Sequence, residues 1–85
     1  MKYQALQHLK TKSKLLKMCD TLQEAKNVIM AKGARYERLS YYGGFPTFSL
    51  GSKTFSIQGA VMFDTGNHIV CSIPQKELET LFLNK

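Results

Sequence analysis

The sequence predicts a single α+β domain of 85 residues, built from two N-terminal helices, an antiparallel sheet of three to five short strands made of hairpins, and a short C-terminal helix. Three observations carry this expectation. A capping box and a downstream glycine bracket an apolar stripe at helical spacing over residues 21–33. Apolar and polar residues alternate strictly over 47–57. Helix-type patterns then stand on either side of a run of strand-type patterns, the order of a sheet with helices on one face and not of a parallel βαβ repeat. The chain is too short for a second core. A basic segment, 1–19, therefore leads into a helix, hairpin sheet and terminal helix over 20–85.

Residues 2–17 read as the first helix. Ala5, Leu9 and Leu16 fall on one face, and Lys10, Lys14 and Lys17 follow i, i+4, i+7 spacing on another. Thr11 and Ser13 are weak helix formers, and Leu15–Cys19 reads alternatively as a short strand after a turn. In the second helix Thr21 and Glu24 form the S/T-x-x-E capping box, Leu22, Ala25, Val28 and Ile29 make the stripe, and Gly33 supplies the C-terminal cap. Residues 35–42 are rich in tyrosine and arginine and run into Gly43-Gly44 and Pro46, a strand entering a loop.

Thr47–Leu50 and Lys53–Ile57 form a hairpin around Gly51-Ser52, which suits a type II′ turn. Phe48, Leu50, Phe55 and Ile57 are its expected buried face; Thr47, Ser49, Thr54 and Ser56 are expected to face water. Gly59 marks an expected bulge or bend. Ala60–Phe63 and His68–Ile73 follow as a second hairpin, apolar on both faces, which suits a sheet centre or a subunit interface. Pro74 opens a short helix with Leu78, Leu81 and Phe82 inward and Lys76, Glu77 and Glu79 outward.

The net charge of +6 comes from 12 Lys and Arg against 6 Asp and Glu, and it is unevenly placed. Residues 1–38 hold nine basic and three acidic side chains, the whole excess, while 39–85 balance at three of each. Such a field attracts polyanions or an acidic protein surface.

Chemistry has few carriers. His8 and His68 have no nucleophile or paired carboxylate at a useful spacing, and His68 and Cys71, three apart on one strand, point to opposite faces. The C-x₂₋₄-C and H-x₃₋₅-H spacings of zinc sites are absent, as are glycine-rich phosphate loops, so neither metal nor cofactor is expected. Cys19 and Cys71 lie among apolar residues and read as buried free thiols of a reducing, cytoplasmic compartment. The first 20 residues lack the continuous apolar run of a secretory signal, and no stretch approaches the roughly 18 apolar residues of a membrane span.

What remains is basic and aromatic side chains interleaved. Arg35, Tyr36, Arg38, Tyr41 and Tyr42 crowd one strand, where cations would meet phosphates and rings would stack on bases. Strict alternation places Tyr36, Arg38, Ser40 and Tyr42 on one face and Arg35, Glu37, Leu39 and Tyr41 on the other. Together with Lys10, Lys14 and Lys17, these residues are the expected binding set. The sequence therefore points to a small non-enzymatic protein that binds nucleic acid, single-stranded or without sequence specificity. The alternative is an inhibitor or adaptor, of the kind a phage or mobile element encodes, that acts on a larger partner with an acidic surface or one that handles nucleic acid. A homodimer fits the small core.

Overall fold

The computed structural model describes residues 2–39, 45–65 and 68–83. The chain runs β1 (Lys2–His8), β2 (Ser13–Cys19), α1 (Leu22–Met30), β3 (Arg35–Leu39), β4 (Pro46–Leu50), β5 (Lys53–Met62), β6 (His68–Cys71) and α2 (Gln75–Leu78), closing with a π-helical turn over Glu79–Leu83. The predicted pair of N-terminal helices is overturned. Residues 2–19 form an antiparallel β-hairpin, and the architecture is a six-stranded antiparallel sheet with one helix between strands and a short one near the C-terminus. Lys10 lies in the turn between the strands, so the helical spacing of the three lysines is a coincidence.

The physical reason is long-range pairing. β1 is an interior strand whose seven residues all pair with β5, Lys2 with Ala60 through to His8 with Thr54, and its other edge pairs with β2. Such a ladder, closed across about half the chain, overrides a weak local helix preference. Strand order is β2-β1-β5-β4-β3. The long β5 gives one edge to β1 and shares the other, Lys53–Ser56 with β4 and Gly59–Met62 with β6. Gly59, the expected bend, instead continues the ladder in register between Tyr3 and Cys71.

Helix α1 forms as its sequence predicts. Thr21 Oγ1 accepts from the Glu24 amide at 3.1 Å, and the Glu24 carboxylate accepts from the Asp20 amide at 3.1 Å. At the other end the Gly33 amide donates to Met30 O at 2.9 Å, and Gly33 takes the left-handed φ of +95° that favours glycine. The buried face of α1, Leu22, Ala25 and Ile29, packs on Tyr3, Ala5, Phe48, Phe55 and Ile57 from the sheet. Full burial of each large apolar side chain contributes about 1.5–3 kcal/mol. Leu78 and Ile73 close this layer, and the Phe82 ring lies 4.8 Å from Tyr36 and 5.9 Å from Phe48. Glu77, expected outward, turns back to accept a hydrogen bond from the Tyr3 hydroxyl.

The β4–β5 hairpin stands where the alternation places it. Gly51 has φ +60°, and no described non-glycine residue has positive φ, the pattern of a type II′ and not a type I′ turn. Two details differ. Leu50, at the turn, is exposed, whereas Ser56, at the sheet centre, is buried between neighbouring strands.

Candidate functional site

The strand registers decide which cations meet. Ser13, His8, Thr54, Ser49 and Arg35 are successive cross-strand partners, a row crossing every strand but β6. Leu15, Leu6, Ser56, Thr47 and Arg38 form the next row. Because Ala5, Ile57 and Phe48 face α1, strand alternation puts both rows on the opposite, helix-free face.

Arg35 and Arg38 share that face because of a β-bulge. The partner of Tyr36 is Phe48 and that of Arg38 is Thr47, so Glu37 is an extra residue on β3. The bulge corrects the strict alternation expected from sequence: Arg38 joins Arg35, and Leu39 joins Tyr36 on the core side. The Tyr36 ring meets Phe48 edge-on at 5.7 Å, and burial pushes its hydroxyl pKa up. That ring is therefore engaged in the core instead of offering a free platform to a base. Tyr41 and Tyr42 lie outside the described residues.

The end of the sheet that holds the first row gathers most of the positive charge. Lys10 and Lys12 stand in the β1–β2 turn, Lys14 is the second residue of β2, Lys53 begins β5, and Lys32 leads from α1 towards Arg35; all are exposed. Lys12, Lys32 and Lys53 fall outside the binding set expected from sequence. Lys53 comes from the electrically neutral half of the chain, and only the antiparallel register of β5 brings it to this end. Asp20, Glu24, Asp64 and Glu77 lie towards the opposite end and Glu79 opens the closing π-helical turn, while Glu37 stands beside the arginines on β3, where it accepts from Ser49 Oγ at 2.8 Å.

Lys17 stands apart from the cluster. Its ammonium pairs with Glu24 at 3.2 Å on the α1 side of the sheet, and the Asp20 amide together with Lys17 holds the Glu24 carboxyl below its usual range. Among the described residues the ion pairs are this one and Lys2–Asp20. Among the described residues, the cations of the basic end therefore have no ion-pair partner there. Lys14, Lys17 and Lys32 also rim a groove of about 620 Å³ between β2 and α1, floored by Leu16, Val28 and Ala31.

His8 is the one titratable ring in the rows. Its Nδ1 lies 2.9 Å from Ser13 Oγ and its Nε2 2.6 Å from Ser56 Oγ. Both nitrogens are thus occupied by hydroxyls, with no carboxylate orienting the ring as a general base requires. No group of three His, Cys, Asp or Glu capable of holding a metal occurs among the described residues. Cys19 and Cys71 lie in one cross-strand row with Tyr3 and Gly59 between them, about 14 Å apart at three strand spacings. That separation is well beyond disulfide reach, and both thiols are free.

No protein-family model matches the chain, and no curated protein or solved structure matches it either.

Proposed function

We propose that this protein is a non-enzymatic nucleic-acid-binding protein that holds the phosphate backbone at its basic end with little sequence discrimination. The observation behind this reading is the convergence of Lys10, Lys12, Lys14, Lys32, Lys53, Arg35 and Arg38 at one end of the sheet, with no ion pair to any of them among the described residues. Lysines on turns give charge without the bidentate geometry that reads bases, so affinity comes from phosphate neutralisation and counterion release. The hydroxyl of Thr54 in the adjoining row adds a neutral donor to phosphate oxygens. With the Tyr36 ring in the core, stacking adds little at the described surface, and duplex should bind at least as well as single strand.

Fluorescence anisotropy with labelled single- and double-stranded DNA and RNA at low and moderate salt tests the reading. Micromolar binding at low salt that weakens steeply with added salt is expected; no micromolar binding at low salt overturns it.

The lysine-rimmed groove between β2 and α1 favours a second reading, an adaptor or inhibitor that takes an acidic amphipathic segment of a partner protein. Resonance shifts confined to Leu16, Val28 and Lys32 on addition of an acidic, leucine-containing peptide would favour that reading over the first. A cytoplasmic location belongs to the same proposal and is supported by the two free thiols. No described helix is long and apolar enough to cross a membrane.

A further inference from the structure

We propose that the β5–β6 arm is a dimer interface, in which β6 of one chain pairs antiparallel with β6 of a second copy about a two-fold axis normal to the sheet. The edges of the sheet are not alike. β2 carries Lys14 and Lys17 and a bulge at Leu16; β3 carries Arg35, Glu37 and Arg38 and a bulge at Glu37. Lysines, charges and bulges are the devices by which natural sheets prevent edge-to-edge pairing. β6, His68–Cys71, has none of these and only its four-residue length as protection: no lysine, no carboxylate, no proline, and a regular register with β5. Among the described residues no strand pairs with its outer edge. One unguarded edge on a sheet whose other edges are guarded is the signature of a strand meant to pair.

The side chains on the arm say what it pairs with. Val61, Met62, Phe63, Ile69 and Val70 are each between 37% and 58% exposed; the β5–β6 register brings Val61, Met62, Ile69 and Val70 together, and Phe63 follows β5 directly. Val61 and Ile69 lie on one face of the arm and Met62 and Val70 on the other, and together they leave on the order of 400 Å² of apolar side chain open, about half of each partner's share of a standard interface. The rest would come from the edge backbone and flanking residues.

Charge selects a second copy. Over residues 54–75 Asp64 is the only Asp, Glu, Lys or Arg, so the arm offers nothing to attract a charged partner. It also lies at the end of β5 opposite the basic cluster. Antiparallel pairing of two such arms sends the two basic ends outward in opposite directions, keeping two +6 chains from repelling at close range. The two-fold requires partners on the same face, so the axis passes through Ile69 or Val70, each meeting its own copy. A dimer through β6 forms whether or not the basic end binds polyanions.

Sedimentation velocity on the full chain from about 1 to 100 µM tests it. A species of twice the 9.6 kDa chain mass is expected, together with slowed exchange of the outward β6 amides as concentration rises. Val70→Lys and, separately, Ile69→Lys should weaken association at least tenfold while circular dichroism stays native. A monomer throughout that range overturns the proposal. So does a dimer that persists in both folded variants, or one whose formation leaves β6 exchange unchanged, which would place the contact elsewhere and needs no variant to read.

Discussion

Replacing Gln4 by methionine should stabilise the protein, because the wild-type side chain carries an unmet polar cost. Gln4 lies on the helix-free face of β1, between its cross-strand partners Met18 and Gln58, and is only 4% exposed. Its Nε2 is buried without a hydrogen-bond partner. A buried amide left unsatisfied costs about 1–3 kcal/mol. Methionine has nearly the same length and shape and adapts to its neighbours, so the exchange conserves volume and removes the orphaned donor. The expected gain is about 1 kcal/mol, which for a domain of this size raises Tm by about 4–8 °C. Urea titration with unchanged m value, alongside calorimetry, reads the difference. Gln4→Ala serves as the comparison, since it removes the amide but leaves a void and should not stabilise. A Gln4→Met variant equal to or less stable than wild type would refute the reasoning, showing that the amide is satisfied in solution.

Three further outcomes follow from the packing. Tyr3→Phe removes the hydroxyl that donates to Glu77 and should cost about 1.5–3 kcal/mol, as for hydrogen bonds to charged groups. Burial first, and the Glu77 contact second, push the Tyr3 pKa up to about 12 from 10.0. The native state therefore keeps its proton where the unfolded chain loses it, and this stability, complete below pH 10, is lost as pH rises towards 12. Denaturation midpoints of wild type and Tyr3→Phe should converge across that window, and parallel curves would contradict the assignment. Thr21→Ala removes the α1 cap and should cost about 1 kcal/mol, read by chemical denaturation, with faster amide exchange confined to the first turn. In acid the Asp20 carboxyl, held low by the Lys2 ammonium, contributes stability present above its unfolded pKa and lost as pH falls through its folded one. The Asp20→Asn variant should show a shallower acid transition than wild type, and an identical transition would count against the pair.

Legibility in the sequence tracks the range of the interaction. Helix α1 is readable because Thr21, Glu24 and Gly33 act within a few residues of one another, and the β4–β5 hairpin because Gly51 fixes its turn locally. The first hairpin is not. In β1 Tyr3, Gln4, Ala5 and Leu6 are all buried, since both faces of this interior strand are covered, and that erases the period-2 signal. Its turn, Leu9–Lys12, has no glycine, and the lysine spacing imitates a helix face. The bulges at Leu16 and Glu37 also lack a glycine marker, so alternation places Arg38 on the wrong face. The charge excess is countable, but its gathering at one end depends on registers set by residues up to about two thirds of the chain apart.

The central claim, that the basic end engages phosphates, is tested most directly by the salt dependence of duplex DNA binding. Wild type should be measured beside Lys12→Gln/Arg35→Gln/Lys53→Gln, with Lys17→Gln, whose ammonium is already paired with Glu24, as the control. The slope of log K against log salt should fall by about 0.9 for each phosphate that the triple variant no longer neutralises, and stay unchanged in the control. Equal slopes in wild type and the triple variant, or a fall in Lys17→Gln as large as in the triple variant, would contradict the account.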